Sequence, residues 1–396
     1  MAQNQRLLEI SKFIDTDLVC FSHLRWDFVY QRPQHLLSRL GKQFRTFFIE
    51  EPVFHTAGDT YRINLTPENV WVITPQLNET ETEKSSVAQR LKDLLNLLFN
   101  HKKIEKYILW YYTPMALKIS NHLKPEMIIY DCMDELSAFK FAPAELKIME
   151  AELFSKAQLV FTGGQSLYEA KKNAHNNIYP FPSSIDKPHF LQGRKQLAQP
   201  IDQQVIPPLR FGFYGVIDER FDIKLIKEVA EKKPDWQFVL VGPVIKISPD
   251  ELPKRDNIHY LGSKKYSELP SYLAGWDFAI IPFEKNDSTK YISPTKTPEY
   301  LAAGKPVIST SITDVVSPYG NKNLVYIADN ATEFIAAAEK ELAKTPAQAK
   351  EWLMNVDAFL ENISWDYTTR RMMERIKECL VDSNVARQDA KLKSVA

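Results

Sequence analysis

Short apolar runs alternate with longer amphipathic segments along nearly the whole chain, and this alternation is the strongest constraint on its fold. Runs such as 17–22, 107–112 and 127–131 are almost continuously apolar. Such runs are typical of parallel strands that are covered on both faces. Because helix-like segments separate most of them, the pattern predicts an α/β protein built from doubly wound sheets.

The alternation stops once and then restarts. Residues 191–208 are rich in Gln and Pro and show no periodicity, which is typical of a linker. We therefore predict a Rossmann-like domain over 1–190 and a second one over 209–362. The polar residues 383–396 are predicted to be a disordered tail.

Composition and termini exclude several classes of protein. The 396 residues carry 50 basic and 50 acidic side chains, so no overall field favours nucleic acid. No run approaches the ~18 apolar residues of a membrane span, and the N-terminus lacks the apolar stretch of a signal peptide. The three cysteines, Cys20, Cys132 and Cys379, have no metal-binding spacing. We expect a cytoplasmic protein with reduced thiols.

Residues 85–106 predict one basic amphipathic helix, which carries Lys92, Lys102, Lys103 and Lys106. Such a helix either packs its apolar side on the core or lies on a membrane surface. Core packing is the favoured interpretation. Peripheral contact with the inner face of the cell membrane is kept as a secondary hypothesis.

Glycine is scarce, with 12 residues in all, so the positions of glycines at strand ends are informative. Ligands of open α/β sheets bind at the carboxyl ends of the strands, where a glycine lets the backbone approach a phosphate. Neither G-x-G-x-x-G nor the P-loop motif occurs in the sequence. The glycines at predicted strand ends are Gly163, Gly164, Gly215, Gly242 and Gly262.

The segment 293–310 reads SPTKTPEYLAAGKPVIST and predicts a short helix between two prolines and a glycine. Lys296 lies near the N-terminus of this helix, where an anion such as a diphosphate is favoured. Glu299, in the first turn, can accept hydrogen bonds from a ribose diol. Alternatively, Glu299 only complements the helix dipole.

This segment resembles the donor-binding stretch of GT-B glycosyltransferases of the group 1 (GT4-like) class. The opening FSHLRWDFVYQRPQHLLSRL (21–40) is similar to bacterial members linked to teichuronic-acid and other surface-polysaccharide assembly. YDCMDELSAF, FTGGQSLYEAK and FGFYGVIDERFD extend the resemblance over nearly the whole chain. It implies two Rossmann-like domains that face a central cleft, with the helix at 364–382 crossing back to the first.

The resemblance also implies a donor site in the second domain. Glu299 matches the second glutamate of the class motif, whereas Tyr291 occupies the first position. The Lys-Gly that usually follows the first strand is missing, and Arg220 is the expected replacement as a diphosphate clamp beside Lys296. Alternatively, Arg220 pairs with a neighbouring acid, Glu219 or Asp222. The predicted donor site comprises Gly215, Arg220, Gly242, Gly262, Ser263, Tyr291, Thr295, Lys296 and Glu299.

The first domain is expected to bind the acceptor. Asp134 is the first candidate for a general base and Asp131 the second, although one of them could instead cap a helix. His23 either orients a hydroxyl or has only a structural role. Predicted acceptor-binding residues are Arg25, Arg32, His35, Gly163 and Gly164.

The predicted reaction moves a sugar from a nucleoside-diphosphate sugar to a hydroxyl of a glycan or polyprenyl-diphosphate-linked glycan. Asp15-Thr16-Asp17 resembles a metal-binding D-x-D motif but precedes the first strand, at the wrong edge of the sheet. We therefore expect neither a metal nor another cofactor. The alternatives are a sugar-nucleotide epimerase or hydrolase of the same fold and a non-catalytic, two-lobed sugar-binding protein. Retention and inversion both stay open.

Overall fold

A computed structural model describes residues 15–81 and 86–395 of the chain. Its N-terminal half is built on a mixed but mainly parallel sheet with the strand order β3-β5-β2-β1-β6-β7-β8-β9, in which β4 pairs antiparallel with β5. The strands of this sheet in the described residues are β1 (Asp17–Phe21), β2 (Arg45–Ile49), β3 (Val53–His55), β4 (Thr60–Leu65), β5 (Val70–Asn78), β6 (Tyr107–Tyr111), β7 (Met127–Cys132), β8 (Leu159–Thr162) and β9 (Ile178–Pro180).

The C-terminal half is built on a second sheet, which is parallel throughout, with the order β12-β11-β10-β13-β14-β15. Its strands are β10 (Arg210–Tyr214), β11 (Gln237–Val241), β12 (Ile258–Gly262), β13 (Phe278–Ile281), β14 (Val307–Ser309) and β15 (Tyr326–Ile327).

Helices cover both sheets. Those of the first half are α1 (Arg32–Leu40), α2 (Val87–Lys102), α3 (Leu117–Ser120), α4 (Leu146–Lys156) and α5 (Gln165–Lys171). Two short helices, α6 (Lys187–Phe190) and α7 (Ile201–Gln204), belong to the connection between the halves. The remaining helices are α8 (Ile223–Lys232), α9 (Leu269–Ala274), α10 (Lys296–Ala302), α11 (Thr313–Val315), α12 (Ala331–Leu342), α13 (Pro346–Phe359) and α14 (Trp365–Val395).

The apolar strands are buried on both faces, as expected for covered parallel sheets. Leu18 and Cys20 of β1 enter one core cluster, and Val19 and Phe21 enter another. Successive side chains of a strand point to opposite faces, so the two clusters are the cores on the two sides of the sheet.

Helix α2 buries its apolar side in the protein. Ser86 caps its N-terminus by accepting a hydrogen bond from the Gln89 amide, and Lys103 ends it in a left-handed conformation with φ 51°. Leu95 and Leu98 are buried in the core. The structure therefore matches the core-packing interpretation of this segment. None of the helices in the described ranges combines the length and apolarity of a membrane span.

The connection between the halves packs closely on the second one. Gln203 of α7 is fully buried, where it accepts a hydrogen bond from the Trp276 indole at 2.8 Å and donates one to the Tyr272 carbonyl at 3.0 Å. The segment predicted as an aperiodic linker thus contains short helical turns, because polar side chains anchor it to α9.

Helix α14 returns to the first domain. Trp365, Met372 and Ile376 are buried in the same core cluster as Leu36 and Leu37 of α1. The described backbone stays helical to Val395, whereas the sequence predicts a disordered tail over 383–396.

Both sheets reverse their winding direction at one point. In the first sheet this point lies between β1 and β6, and in the second between β10 and β13. A crevice for ligands forms outside the carboxyl ends of the strands at such a switch point. The loops that follow β1, β7, β10 and β13 supply the candidate site.

Candidate active site

Glycines at the carboxyl edge of the second sheet make room for a lysine. Gly215 has φ +135°, and a Cβ atom there would lie 2.4 Å from Cε of Lys296. Gly242 has φ +143°, and a Cβ atom there would lie 1.9 Å from the Gly215 carbonyl oxygen. Side chains at these positions would be strained and would collide with the site, so both glycines are required by geometry.

Lys296 begins α10 and extends over Gly215 between two aromatic rings. Its Nζ lies 5.5 Å from the Phe213 ring centroid and 5.7 Å from that of Phe283. Burial and the nearby Arg220 lower the pKa of Lys296 to about 8, against the opposing influence of Glu299. The lysine is therefore largely a cation at neutral pH, held at a helix N-terminus.

Arg220 is held beside this lysine by Asp218, whereas the sequence suggested Glu219 or Asp222 as its partner. It donates to both carboxylate oxygens of Asp218, from Nε at 2.9 Å and from Nη2 at 2.7 Å. Its Cζ lies 5.3 Å from the ring centroid of Phe139, which belongs to the first domain. Burial alone would lower the pKa of Arg220, but Asp218 raises it above its ordinary value. The guanidinium thus stays charged at the boundary between the domains.

Glu299 lies in the first turn of α10 and is only 4% exposed. Its Oε2 accepts a hydrogen bond from the Tyr214 hydroxyl at 2.5 Å. Burial raises the pKa of Glu299 to about 7, although Tyr214 and Lys296 act in the opposite direction. Arg220, Lys296 and Glu299 are therefore brought together at one sheet edge.

Asp134 faces these cations from the first domain. It follows β7 in the loop that also carries Phe139. Burial raises the pKa of Asp134 to about 6, against the field of Arg220, Arg32 and Lys296. A carboxylate with a nearly neutral pKa, opposite two cations, has the properties of a general base or of a group that positions a hydroxyl.

Asp131 and Arg32 have a different role from the predicted ones. They form a bidentate ion pair with an Nη2–Oδ1 distance of 2.8 Å, and their side chains are 0% and 3% exposed. Arg32 also donates to the Phe181 carbonyl at 2.7 Å. The pair joins α1 to β7, so neither side chain is open to a substrate. We correct the expectation that Asp131 is a base and that Arg32 holds the acceptor.

His23 lies at the carboxyl end of β1. Burial lowers its pKa to about 4, against a hydrogen bond with the Tyr112 backbone and with a smaller contribution from Lys246 of the second domain. The imidazole is therefore neutral at pH 7. Its Nδ1 has no hydrogen-bond partner among the described residues. Because Nδ1 is buried, the role of His23 in orienting a hydroxyl stays a prediction.

Three predicted acceptor residues are instead packed inside the protein. His35 is 1% exposed and stacks on Trp365, with ring centroids 4.8 Å apart. A Cβ atom on Gly163 would lie 2.2 Å from the Met133 carbonyl oxygen. One on Gly164 would lie 2.2 Å from Oδ2 of Asp314. These residues let elements pack closely and leave no surface for an acceptor.

Arg25 lines a separate cavity of about 590 Å³ together with Arg62 and Thr74. Its guanidinium donates to Oε2 of Glu50 at 3.0 Å and to the Glu51 carbonyl at 2.6 Å. Arg25, which is predicted to bind the acceptor substrate, is thus already hydrogen-bonded within the protein, although its side chain stays 38% exposed.

The other predicted donor residues lie around the same edge of the second sheet. Gly262 and Ser263 are exposed, and nothing lies within 4 Å of a Cβ atom built on Gly262. Thr295 precedes α10 without making a side-chain cap. Tyr291 differs, because it packs against the core cluster of the first domain that contains Tyr130.

Sequence reasoning missed the residues that position the charged groups. Asp218, Tyr214 and Phe139 each contact Arg220 or Glu299. Tyr214 could have been found, because it is the last residue of a strand that ends at a site glycine. Asp218 was visible in the DERF segment, but only the turn geometry shows that it pairs with Arg220.

The acidic motif at 15–17 does not lie in this site. Asp17 begins β1 at the opposite sheet edge, and both its carboxylate oxygens accept hydrogen bonds from Arg45 at 2.7 and 2.6 Å. Across residues 15–81 and 86–395, no group of three or more His, Cys, Asp or Glu side chains is arranged to hold a metal ion.

One family model matches part of the second half of the chain. Residues 212–344, which contain Arg220, Lys296 and Glu299, match the family model described as glycosyl transferases group 1. This chain carries a group 1 glycosyltransferase domain. The segments that the sequence predicts to bind the donor lie within the matched residues.

A longer stretch of the chain is similar to a curated protein. It is 27% identical to the putative teichuronic acid biosynthesis glycosyltransferase TuaH of Bacillus subtilis strain 168 over 288 residues, or 68% of this chain and 72% of the relative.

Solved structures confirm the predicted GT-B fold. Sucrose-phosphate synthase of Thermosynechococcus elongatus matches with a TM-score of 0.68 and 12% identity, covering 93% of this chain and 100% of the other. HepE of Anabaena, solved in complex with UDP and glucose, matches with a TM-score of 0.64 and 15% identity, covering 91% and 99%.

Proposed function

We propose that this glycosyltransferase moves a sugar from a nucleoside-diphosphate sugar to a hydroxyl of a glycan or lipid-linked glycan during surface-polysaccharide assembly. The observation that carries the proposal is a pair of neighbouring cations, Lys296 at the N-terminus of α10 and Arg220 in the segment after β10, opposite Asp134. The similarity to TuaH supports the choice of pathway, and the UDP and glucose bound to HepE support the class of donor.

In this proposal Lys296 and Arg220 bind the donor diphosphate. Breaking the bond between the anomeric carbon and the phosphate oxygen leaves both electrons on the departing nucleoside diphosphate. Cations and helix N–H groups that are already in place stabilise that developing charge. Glu299 accepts hydrogen bonds from the ribose, while Gly242 and Gly262 let the nucleotide approach the backbone.

Asp134 is the proposed acceptor-side group. It takes the proton of the acceptor hydroxyl as the oxygen bonds to the anomeric carbon, and His23 orients the hydroxyl. Binding of a diphosphate would offset the field of Lys296 and Arg220, which lowers the pKa of Asp134 in the free protein. The pKa of Asp134 would then rise further, making the carboxylate a stronger base.

Measuring the release of nucleoside diphosphate from a panel of nucleotide sugars tests the proposal. We expect rapid release of one nucleoside diphosphate only when a glycan or polyprenyl-diphosphate-linked acceptor is present, without added metal. Rapid release without acceptor would indicate a hydrolase instead. Binding without any release would indicate a sugar-binding protein.

A peripheral location at the inner face of the membrane completes the proposal, because a lipid-linked acceptor is reached there. Phe141 is 79% exposed and lies two residues after Phe139, which contacts Arg220. The ammonium of Lys140 lies 5.2 Å from the Phe141 ring. An exposed aromatic ring with a neighbouring cation suits the interface of an anionic membrane.

Sedimentation with phosphatidylglycerol vesicles measures this contact. Burial of one phenylalanine contributes roughly 1.5–3 kcal/mol, so F141S should weaken binding by about tenfold or more. Leu97 of α2 is 56% exposed and provides the matched control, since L97S should leave binding unchanged. Equal binding of wild type and F141S would contradict the location of the contact.

A further inference from the structure

A second cavity, of about 530 Å³, lies where the chain passes between its domains, and neither Lys296 nor Arg220 lines it. Its walls come from residues 179–184 at the exit of the first domain, residues 314–319 of the second domain and residues 362–375 around the start of α14. We call it the hinge cavity. A molecule bound in it would touch both domains and both segments that join them.

Aromatic side chains form much of the wall of the hinge cavity. Tyr179 and Phe181 approach from the first domain, Tyr319 from the second, and Tyr367 from α14. Tyr319 is held by an edge contact with Phe359, with ring centroids 5.3 Å apart. A concave wall that combines aromatic rings with polar groups is typical of a small-molecule site, and the rings suit the apolar face of a sugar.

Two arginines, one helical turn apart, give the hinge cavity a positive side. The Arg375 Cζ atom lies 4.5 Å from the Tyr179 ring centroid, and Arg371 precedes it by four residues. Each pairs with the glutamate three residues later, Glu378 or Glu374, whose side chains are 59% and 53% exposed. Such exposed pairs are weak, so an anion can replace them and bind the guanidiniums.

The Ser184 hydroxyl, on the opposite wall, is buried and has no hydrogen-bond partner among the described residues. Asp314 on the same wall accepts a hydrogen bond from the Ser166 amide at 2.9 Å. Burial raises the pKa of Asp314, and hydrogen bonds from Ser166 and Gln165 counteract that rise. Buried polar atoms are rarely left unpaired, and a ligand hydroxyl would satisfy Ser184.

We propose that the hinge cavity is a binding site for an anionic saccharide. The aromatic side chains contact the sugar ring, Arg371 and Arg375 bind its carboxylate or phosphate, and Ser184 binds one of its hydroxyls. Because the ligand contacts both domains, its binding favours the domain arrangement seen here. The site is separate from the donor site and does not depend on the proposed reaction.

Isothermal titration calorimetry with glucuronate, glucose 6-phosphate and glucose tests this proposal. We expect at least one of the two anions to bind with a Kd below about 10 mM. Glucose should bind at least about tenfold more weakly, because it lacks the negative charge. Tighter binding of glucuronate would indicate a carboxylated ligand, and tighter binding of glucose 6-phosphate a phosphorylated one. R375Q should weaken anion binding by about tenfold.

Variants of α14 and of the active site locate the bound anion. R370Q removes an exposed charge from the same helix, outside the hinge cavity, and should bind as wild type does. K296A should also bind as wild type does. Binding that survives R375Q but disappears in K296A would place the anion in the active site and overturn the proposal. Failure of both anions to bind wild type would overturn it as well.

Discussion

At the scale of single residues, burial moves the pKa values of the cleft groups toward neutrality. It raises the pKa of Asp134 to about 6 and that of Glu299 to about 7, and it lowers that of Lys296 to about 8. Each group is close to exchanging its proton at neutral pH because burial disfavours its charged form. Groups of this kind suit proton transfer and binding of a diphosphate.

These values predict a bell-shaped pH dependence of kcat/KM. Asp134 must be ionised, so the rate should fall as the pH falls through about 6. Lys296 must be protonated, so the rate should also fall as the pH rises through about 8. K296R should move the alkaline limb upward, because arginine stays charged at that pH. D134N should lose most activity together with the acidic limb; an unchanged acidic limb would rule out Asp134 as the base.

Removing the Lys296 ammonium should slow turnover without unfolding the protein. We expect K296A to lower kcat by about 10²–10³-fold, as for the loss of one group that stabilises developing negative charge. Steady-state kinetics and thermal unfolding measure the two effects. K290A removes an exposed lysine nearby and should retain normal turnover. Equal rates for K296A and K290A would exclude the proposed role.

At the scale of structural elements, glycines at strand ends determine how closely the active-site loops approach each other. Gly215 follows β10 and lies beneath the Lys296 side chain, while Gly242 follows β11 and contacts Gly215. The carboxyl edge of the second sheet thus depends on backbone conformations that other residues rarely adopt.

G215A should therefore disturb both stability and donor binding. A φ of +135° at this position costs alanine roughly 1–3 kcal/mol, and the new methyl group displaces Lys296. Urea unfolding and titration with nucleoside diphosphates measure these losses. Gly58 has open space around it and no positive φ, so G58A is the matched control. Donor binding by G215A equal to that by G58A would contradict this arrangement.

The sequence predicts the buried strands well because each is apolar on both faces. It misses β3 and β4, since β4 alternates and is largely exposed and β3 has only three residues. It also predicts that Lys296 and Glu299 lie near a helix start. The buried pair of Arg32 and Asp131 could not be predicted, because its members are 99 residues apart and meet only through the sheet.

At the scale of the whole molecule, α14 joins the end of the chain to the first domain. Trp365 is fully buried and stacks on His35 of α1. Its backbone amide donates to the Ile185 carbonyl at 3.0 Å, so it also holds the connecting segment. The two crossings between the domains are thus packed together at the hinge.

W365A should lower the free energy of unfolding by about 3–5 kcal/mol, the usual cost of truncating a buried aromatic side chain. D366A removes only an ion pair with Arg39 in which Asp366 is 73% exposed, so we expect a change below about 1 kcal/mol. Denaturant titrations of both variants measure the difference. Similar stabilities would show that α14 is not anchored by Trp365.

The central claim is that Lys296 and Arg220 bind the diphosphate of a sugar donor. Calorimetric titration of wild type, K296A, R220Q and K290A with a panel of nucleoside diphosphates measures this directly. We predict that one nucleoside diphosphate binds wild type and K290A equally, and that K296A and R220Q each bind it about 10²-fold more weakly, a difference of roughly 2.7 kcal/mol. Equal affinities in all four proteins, or no binding to wild type, would contradict the account.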